Sequence, residues 1–264
     1  MRTAGLKAAL TALLLFSAAA AAVPGGEQVY RIGTDEDYPP MSFMQDGVAR
    51  GIDVEILQRA AQLEDFAYEL VPLEFDAVIP KLVSGQLDAA MSSLNITPKR
   101  AAIMDFSEVY MVSTLSAVVR CSQLDRFKYG ADFFGKSAAV KTGTYASEFV
   151  EHDSRRLHVS LQYYSSTEEC AQAVAQGKAD FLIEDYPVAA AMQQSADPPQ
   201  LCLTSVHLAP ISGYGFAVAK GENQELLLKF NRALHTMQQD GSLERIFRRY
   251  LKNVPVSGPE EAQP

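Results

Sequence analysis

Much of this chain can be understood from one stretch, Ser84-Gly-Gln-Leu-Asp-Ala-Ala-Met-Ser-Ser-Leu-Asn-Ile-Thr-Pro-Lys-Arg100. Apolar residues at helical spacing precede it, and Gly85 can adopt the left-handed conformation that ends a helix. The apolar run at 87–91 is typical of a strand buried on both faces of a parallel sheet. The stretch therefore predicts a helix followed by a buried strand, as in α/β proteins.

Polar side chains converge where the predicted strand ends. Ser92, Ser93 and Asn95 follow the strand, at the edge where open α/β sheets bind their ligands. The Thr-Pro pair at 97–98 predicts the start of a second helix, with Arg100 in its first turn. Hydroxyls, an amide, free helix-end N–H groups and a guanidinium together favour a carboxylate ligand. The alternative is a solvated arginine beside an ordinary loop.

A second stretch, at 171–185, repeats the order of helix, Gly-x-x-Asp, apolar strand and polar pair. The matched positions are Gly85 with Gly177, Asp88 with Asp180, and Ser93 with Asp185. One unit thus presents neutral or cationic groups at its strand end, and the other unit presents an acid. A ligand with both a carboxylate and an ammonium would satisfy both units, and an α-amino acid is the simplest such ligand.

The remaining patterns extend these two stretches into two βαβαβ units, which predicts an α/β fold with parallel sheets flanked by helices. We expect the first lobe at 27–115, the second lobe at 116–210, and a return of the chain to the first lobe at 211–253. The chain then crosses between the lobes twice, near 114–120 and 206–214. Two crossing strands side by side would form a hinge that lets the lobes close around a ligand.

The termini and the charge restrict the location and the partners of the protein. Residues 1–22 combine a basic start, an apolar segment and a run of small residues, which predicts a cleaved signal peptide and a periplasmic protein. Residues 254–264 are rich in Pro, Gly and Glu and are predicted to be disordered. The formal net charge of −9 makes nucleic acid a poor partner.

Cysteine and histidine usage adds a crosslink and argues against a metal. Three cysteines in an oxidising compartment predict one disulfide and one remaining thiol. Cys121 ends the first crossing strand and Cys202 precedes the second, which favours this pair over one that uses Cys170. The four histidines show no metal-ligand spacing, so we expect neither a metal nor another cofactor.

Several short motifs run in a fixed order across residues 28–252. They include Ile32-Gly-Thr-Asp-Glu-Asp-Tyr-Pro-Pro, Gly51-Ile-Asp-Val-Glu, Phe75-Asp-Ala-Val-Ile-Pro, Ile96-Thr-Pro-Lys-Arg, Asp105-Phe-Ser, Lys141-Thr-Gly-Thr and Gly213-Tyr-Gly-Phe. Together they resemble the polar amino-acid-binding branch of bacterial periplasmic solute-binding proteins, such as those for histidine, for lysine, arginine and ornithine, and for glutamine. The resemblance implies the two-lobe periplasmic-binding-protein fold.

The resemblance also implies roles for residues at both ends of the ligand. Arg100 would clamp the α-carboxylate, and Asp185 would bind the α-ammonium. The residues expected to assist at these two ends are Ser92, Ser93, Asn95 and Thr144. Asn95 departs from the usual Ser or Thr of the family, but its amide can still donate to a carboxylate.

The side chain of the ligand would lie among aromatic and acidic residues. By the same resemblance, Tyr38 and Phe75 would sandwich it, and Asp35 would contact its polar tip. Tyr145 stands where a small polar residue is common, so it would either intrude on the ligand or act as a lid. The acidic pair Asp35 and Glu36 favours a ligand that is polar or basic.

The implied function is binding without catalysis. The protein would be a monomer that binds a polar or basic L-α-amino acid and delivers it to a membrane-embedded ABC permease. An enzyme is the main alternative, because the scaffold also resembles periplasmic cyclohexadienyl and arogenate dehydratases. Such an enzyme needs a general acid, but no acid occurs between Asp185 and Asp197, and Glu184 is expected on the opposite face of its strand. An accessory protein of a periplasmic oxidoreductase is a third possibility.

Overall fold

The structure is a computed structural model that describes residues 28–194 and 200–252. The predicted signal peptide at 1–22 and the predicted disordered tail at 254–264 lie outside these residues. Among the helices of the described part, none has the length and apolar character needed to cross a membrane.

The chain alternates strands and short helices. The strands are β1 (Val29–Asp35), β2 (Asp37–Tyr38), β3 (Ser42–Gln45), β4 (Val48–Arg50), β5 (Ala67–Leu73), β6 (Ala89–Asn95), β7 (Met104–Phe106), β8 (Met111–Ser113), β9 (Leu115–Arg120), β10 (Ser137–Lys141), β11 (Ser160–Tyr164), β12 (Phe181–Asp185), β13 (Leu201–His207) and β14 (Ser212–Ala219). The helices are α1 (Ile52–Glu64), α2 (Phe75–Val83), α3 (Pro98–Ala101), α4 (Tyr145–Leu157), α5 (Thr167–Ala175), α6 (Tyr186–Gln194), α7 (Gln224–Gln239) and α8 (Ser242–Tyr250).

Two mixed sheets define two lobes, as predicted for the fold class. The sheet of lobe 1 has the order β5-β1-β6-β14-β7, with β8 paired to β14. The sheet of lobe 2 has the order β11-β10-β12-β9-β13. In each sheet three parallel strands stand beside an antiparallel one, which is β14 in lobe 1 and β9 in lobe 2. Apolar side chains from helices cover both faces of each sheet, as a parallel sheet requires.

The repeated Gly-x-x-Asp motif has the same structural role in both lobes. Gly85 and Gly177 both have a positive φ, of 76° and 75°, and end helices α2 and α5. The carboxylate of Asp88 accepts a hydrogen bond from the backbone N–H of Arg31 at 2.8 Å. That of Asp180 accepts one from the N–H of Ser137, also at 2.8 Å. The two units are therefore structural repeats, as the sequence predicts.

Strand β6 extends further than the sequence predicts. The apolar pattern places it at 87–91, whereas the structure continues it through the polar residues to Asn95. The reason is pairing with a distant strand, since Leu94 and Asn95 lie opposite Gly215 and Tyr214 of β14. The helix that follows is only one turn long, and few of its N–H groups are free, because Pro98 has none and the N–H of Arg100 is capped by Thr97.

The chain passes between the lobes through two segments that run side by side. Only Thr114 separates β8, which pairs with β14 in lobe 1, from β9, which pairs with β13 in lobe 2. The return segment, 208–211, connects β13 to β14. The hydroxyl of Thr114 donates to the carbonyl of Ala209 at 2.7 Å and joins the two crossings. This arrangement is the predicted two-strand connection.

A disulfide joins Cys121 to Cys202, with a Cα–Cα distance of 4.8 Å. It lies in lobe 2, where Cys202 stands opposite Val119 on the neighbouring strand β9. Cys170 is a buried free thiol on α5. The pairing favoured by the sequence is therefore confirmed.

Replacing Cys121 and Cys202 together by alanine should lower the free energy of unfolding by about 4 kcal/mol, because the crosslink closes a long loop in the unfolded chain. The two cysteines are 81 residues apart in sequence. Urea unfolding of the oxidised protein would measure the loss. The control variant Cys170→Ala removes a buried thiol but should keep the crosslink and lose less stability. Peptide mapping without reductant that found Cys170 in the crosslink would contradict this assignment.

Candidate functional site

Four strand ends from the two lobes face each other. They are the carboxyl ends of β1 and β6 in lobe 1 and of β10 and β12 in lobe 2, and we call the space between them the cleft. Parallel α/β sheets bind ligands at this edge. Five ionisable side chains are buried here, which is rare unless each of them is paired or functional. They are Asp35, Arg100, Lys141, Glu184 and Asp185.

Arg100 spans the two lobes. Its backbone N–H is capped by the hydroxyl of Thr97 at 3.2 Å, which fixes the single turn of α3. Its Nη1 donates to the carbonyl of Asn95 at 3.2 Å, and its Nη2 donates to the carbonyl of Gly143 in lobe 2 at 3.1 Å. The Nε–H is buried and has no hydrogen-bond partner within the described residues. Burial also lowers the pKa of the guanidinium. The group is therefore short of an anionic partner.

Asp185 lies opposite Arg100, at the end of β12. Its Oδ2 accepts hydrogen bonds from the hydroxyl of Tyr38 at 3.0 Å and from Nδ2 of Asn95 at 3.3 Å. Its Oδ1 accepts one from the hydroxyl of Ser113 at 3.2 Å. All three donors belong to lobe 1. Burial raises the pKa of this carboxyl, and the hydrogen bonds that it accepts oppose the shift; a cation in the cleft would stabilise the charged form further.

Glu184 also faces the cleft, and the sequence-based expectation that it points to the opposite face is wrong. Its Oε1 accepts from the hydroxyl of Tyr38 at 2.7 Å, and its Oε2 accepts from the hydroxyl of Thr167 at 3.1 Å. Burial, followed by the charge of Asp185, raises its pKa to about 7. The cleft thus has an acidic side made of two adjacent carboxyls, where alternation along a strand predicts one.

Lys141 also lines the cleft, a position that the sequence did not predict for it. Its Nζ lies 2.6 Å from Oδ2 of Asp35 and 3.2 Å from the carbonyl of Asp37, so an ion pair joins the ends of β10 and β1. Both side chains are less than 5% exposed. Burial raises the pKa of Asp35, and Lys141 opposes that shift. The backbone N–H of Asp35 also donates to the hydroxyl of Ser92 at 3.0 Å.

The repeat itself holds a signal for Lys141. The Asp of each Gly-x-x-Asp motif bonds to the first strand of its unit, at Arg31 in β1 and at Ser137 in β10. Asp35 and Lys141 both stand four residues further along, so they occupy equivalent positions of the two units.

The two predicted aromatic residues also line the cleft. Tyr38 and Phe75 are both buried. The Nζ of Lys141 lies 5.4 Å from the ring centroid of Tyr38 and 5.8 Å from that of Phe75. The guanidinium carbon of Arg100 lies 5.9 Å from the centroid of Phe75. Both cations are therefore within the distance at which a ring face attracts them.

The predicted hydroxyls of Ser93 and Thr144 are used for internal contacts. Ser93, which has a φ of 45°, donates to Oδ2 of Asp53 at 2.9 Å. Asp53 is fully buried, and burial raises its pKa to about 7. The hydroxyl of Thr144 donates to the carbonyl of Lys141 at 2.8 Å and accepts from the N–H of Ser147 in the first turn of α4. Neither hydroxyl is therefore free to donate to a ligand in this arrangement.

Tyr145 is partly buried at the start of α4, where its ring packs against that of Phe149. Burial, then the nearby charge of Asp185, raises the pKa of its hydroxyl. It therefore lies near the acidic side of the cleft. Across the described ranges no three His, Cys, Asp or Glu side chains are grouped as a metal site would require.

Comparison with known proteins identifies a family. The family described as bacterial extracellular solute-binding proteins, family 3, matches residues 30–253. The L-arginine-binding protein of Pseudomonas aeruginosa is 28% identical over 255 residues, which cover 93% of this chain and 96% of that protein. The structure of an ancestral arginine-binding protein bound to arginine has a TM-score of 0.77 and 29% identity, covering 84% of this chain and 97% of that one. An ancestral amino acid-binding protein, a precursor of cyclohexadienyl dehydratase, has a TM-score of 0.76 and 30% identity, covering 85% and 96%.

The free energy of unfolding should fall as the pH rises from about 5 to about 7, and Glu184 should contribute to that fall. The folded protein holds a proton on Glu184 up to a pKa of about 7, whereas an ordinary glutamate loses it near 4.5. The folded state thus binds more protons in this window, and one such group contributes up to about 1.4 kcal/mol per pH unit. Urea unfolding at several pH values would measure the slope.

Glu184→Gln should reduce this slope, and Glu222→Gln, a change at an exposed position, should leave it unaltered. Some pH dependence should persist in Glu184→Gln, since Asp53 also has a pKa of about 7. A slope that is the same in the wild type and in Glu184→Gln would show that Glu184 is ionised throughout this window.

Proposed function

The chain belongs to family 3 of the bacterial extracellular solute-binding proteins, and on this premise we propose that it binds one L-α-amino acid in the cleft. The two lobes would close around the ligand, and the closed form would deliver it to an ABC permease in the membrane. The site of action would be the periplasm, reached through the predicted signal peptide. The observation that carries this proposal is that a buried arginine of lobe 1 and two buried carboxyls of lobe 2 line the same cleft.

The carboxylate end of the ligand is assigned to Arg100. Its guanidinium is buried, has a lowered pKa and keeps an unpartnered Nε–H. A carboxylate would provide both the missing acceptor and the missing charge, and the forked geometry of guanidinium suits it. The nearby amide of Asn95 can donate as well.

The ammonium end is assigned to Asp185, with Glu184 beside it. Burial raises the pKa of both carboxyls, and the charge of Asp185 raises that of Glu184 further. A ligand ammonium would offset this repulsion and would allow the pair to ionise. The site then contains a cation for the carboxylate and an anion for the ammonium, which matches a zwitterion.

Closure follows from the placement of the clamp on different lobes. Arg100 belongs to lobe 1 and Asp185 to lobe 2, so only a closed arrangement brings both to one ligand. We propose that the chain bends at its two crossings, near 115 and 211, where the sequence predicts the lobes to divide. The difference in ligand affinity between the closed and open forms would drive the shift.

Catalysis is the second candidate, and one observation favours it. Glu184 is a buried carboxyl with a pKa of about 7, which is the property of a general acid. Binding is still the better proposal, because the compared ancestral protein with 30% identity is itself described as an amino acid-binding protein. Incubation with prephenate separates the two candidates, since only a dehydratase would release water and carbon dioxide from it.

Arg100→Ala should weaken amino-acid binding by at least about a hundredfold, because the ligand carboxylate would be buried without its partner. Titration calorimetry with the best ligand from a thermal-shift screen of L-amino acids would measure the change. At millimolar concentration a micromolar ligand should stabilise the wild type by about 4 kcal/mol, so the screen has ample range.

Two matched variants make this test specific. Arg100→Lys keeps the positive charge but cannot donate two parallel hydrogen bonds to a carboxylate. Its affinity should therefore lie between those of the wild type and of Arg100→Ala. Arg248→Ala removes an exposed arginine on α8 and should bind like the wild type. A loss below about fivefold in Arg100→Ala would remove Arg100 from the site.

Ligand should draw the lobes together, which X-ray scattering would detect as a smaller radius of gyration. Asp185→Asn should weaken both the binding and the contraction, since a neutral amide cannot balance a buried ammonium. The variant should still fold, because Asp185 is hydrated when the cleft is open. A tight ligand that leaves the scattering unchanged, and that Asp185→Asn binds equally well, would refute the two-lobe clamp.

A further inference from the structure

We propose that Lys141 makes the cleft selective for an amino acid whose side chain is uncharged and offers a hydrogen-bond acceptor, and that it excludes cationic side chains. This inference rests on the proposed amino-acid binding and narrows it. It also revises the expectation of a polar or basic ligand, which depended on Asp35 and Glu36. Glu36 is exposed, and the charge of Asp35 is already matched.

The first reason is the place that Lys141 occupies. Its ammonium lies within 6 Å of the ring centroids of both Tyr38 and Phe75. These are the two rings that the family resemblance assigns to the side chain of the ligand. A cationic side chain would bind there through the same attraction to ring faces and to Asp35. The protein therefore fills the cation position with its own lysine.

The second reason is charge. A ligand cation beside Lys141 would bring two positive charges together in a site with little water, where repulsion is strong. A ligand anion would meet Asp35, whose Oδ2 lies 2.6 Å from Nζ of Lys141. The pair is balanced as it stands, and an uncharged side chain leaves that balance undisturbed.

The third reason is an unused donor. An ammonium has three N–H donors, and the hydrogen bonds of Nζ use two, to Oδ2 of Asp35 and to the carbonyl of Asp37. Within the described residues the third N–H has no partner, and we assign it to an acceptor on the ligand. A side-chain amide or hydroxyl oxygen would accept it and would hold the side chain in place.

Lys141 is also held firmly where it is. Its side chain is 4% exposed, and its removal from the cleft would leave Asp35 buried without a counter-ion. The backbone carbonyl of Lys141 accepts a hydrogen bond from the hydroxyl of Thr144, and this bond fixes the turn that follows the strand. The ammonium thus acts as a fixed part of the site.

The test compares amino acids of similar size and different charge. Titration calorimetry on the mature wild-type protein would use asparagine, glutamine, serine and threonine against arginine, lysine and ornithine, and against aspartate and glutamate. The best uncharged ligand should bind at least about a hundredfold more tightly than any cationic one. Lys141→Met should bind arginine, lysine or ornithine at least tenfold more tightly than the wild type does, because Asp35 then lacks a partner.

Two further variants keep the test decisive. Lys141→Arg preserves the cation, so it should still reject cationic ligands. Asp35→Asn/Lys141→Met removes both charges and should lose the gain seen in Lys141→Met. The double variant leaves no charge of this pair unpaired, so it reports on selectivity even where Lys141→Met folds poorly.

The possible failures are distinct. Arginine binding to the wild type as tightly as the best uncharged ligand, with no gain in Lys141→Met, would overturn this inference and leave the proposed function standing. If no L-amino acid in the full thermal-shift screen binds to the wild type or to any variant, the proposed function is wrong, and this inference with it.

Discussion

The buried ion pair between Asp35 and Lys141 is the contact on which the closed arrangement depends most. A charge that leaves water must be paired, or it destabilises the fold by several kcal/mol. Each residue of this pair is supplied by a different lobe, so separation of the lobes must hydrate both charges. The same holds for Arg100 and Asp185, whose partners also lie across the cleft. In the proposed mechanism, opening and closing of the cleft would therefore exchange water for these fixed partners.

Duplication of one βαβαβ unit explains how these groups meet. In both copies a Gly ends a helix, and the Asp before the following strand bonds to the first strand of the unit. Corresponding strand ends therefore have the same geometry. Asp35 and Lys141 are equivalent in the two copies, as are Ser93 and Asp185. Opposite charge at one equivalent pair gives an ion pair across the cleft. The other equivalent pair, Ser93 and Asp185, differs in chemistry. The cleft therefore has one acidic side and one side rich in hydrogen-bond donors.

The sequence predicts the parts of this structure that local patterns encode. The Gly-x-x-Asp repeat and the two α/β units follow from spacing and residue type, and Arg100 and Asp185 follow from that repeat together with the family resemblance. Lys141 was missed because its partner lies 106 residues away, and the contact exists only when two lobes meet. The prediction for Glu184 is wrong because strict alternation of side chains does not hold at the end of a strand. There β12 ends and α6 begins, and a long side chain can reach the hydroxyl of Tyr38.

Selectivity and closure cannot be separated in such a cleft. In this arrangement polar groups of the two lobes already form hydrogen bonds with one another, between Arg100 and Gly143 and between Asn95 and Asp185. A ligand that enters must offer more than these contacts do, or closure gains nothing from it. A zwitterion with an uncharged side chain would do so at both charged ends and would add no net charge. A side chain with a charge of its own would oppose the approach of the lobes through Asp35 or Lys141. It would thus bind weakly even though both of its charged ends fit.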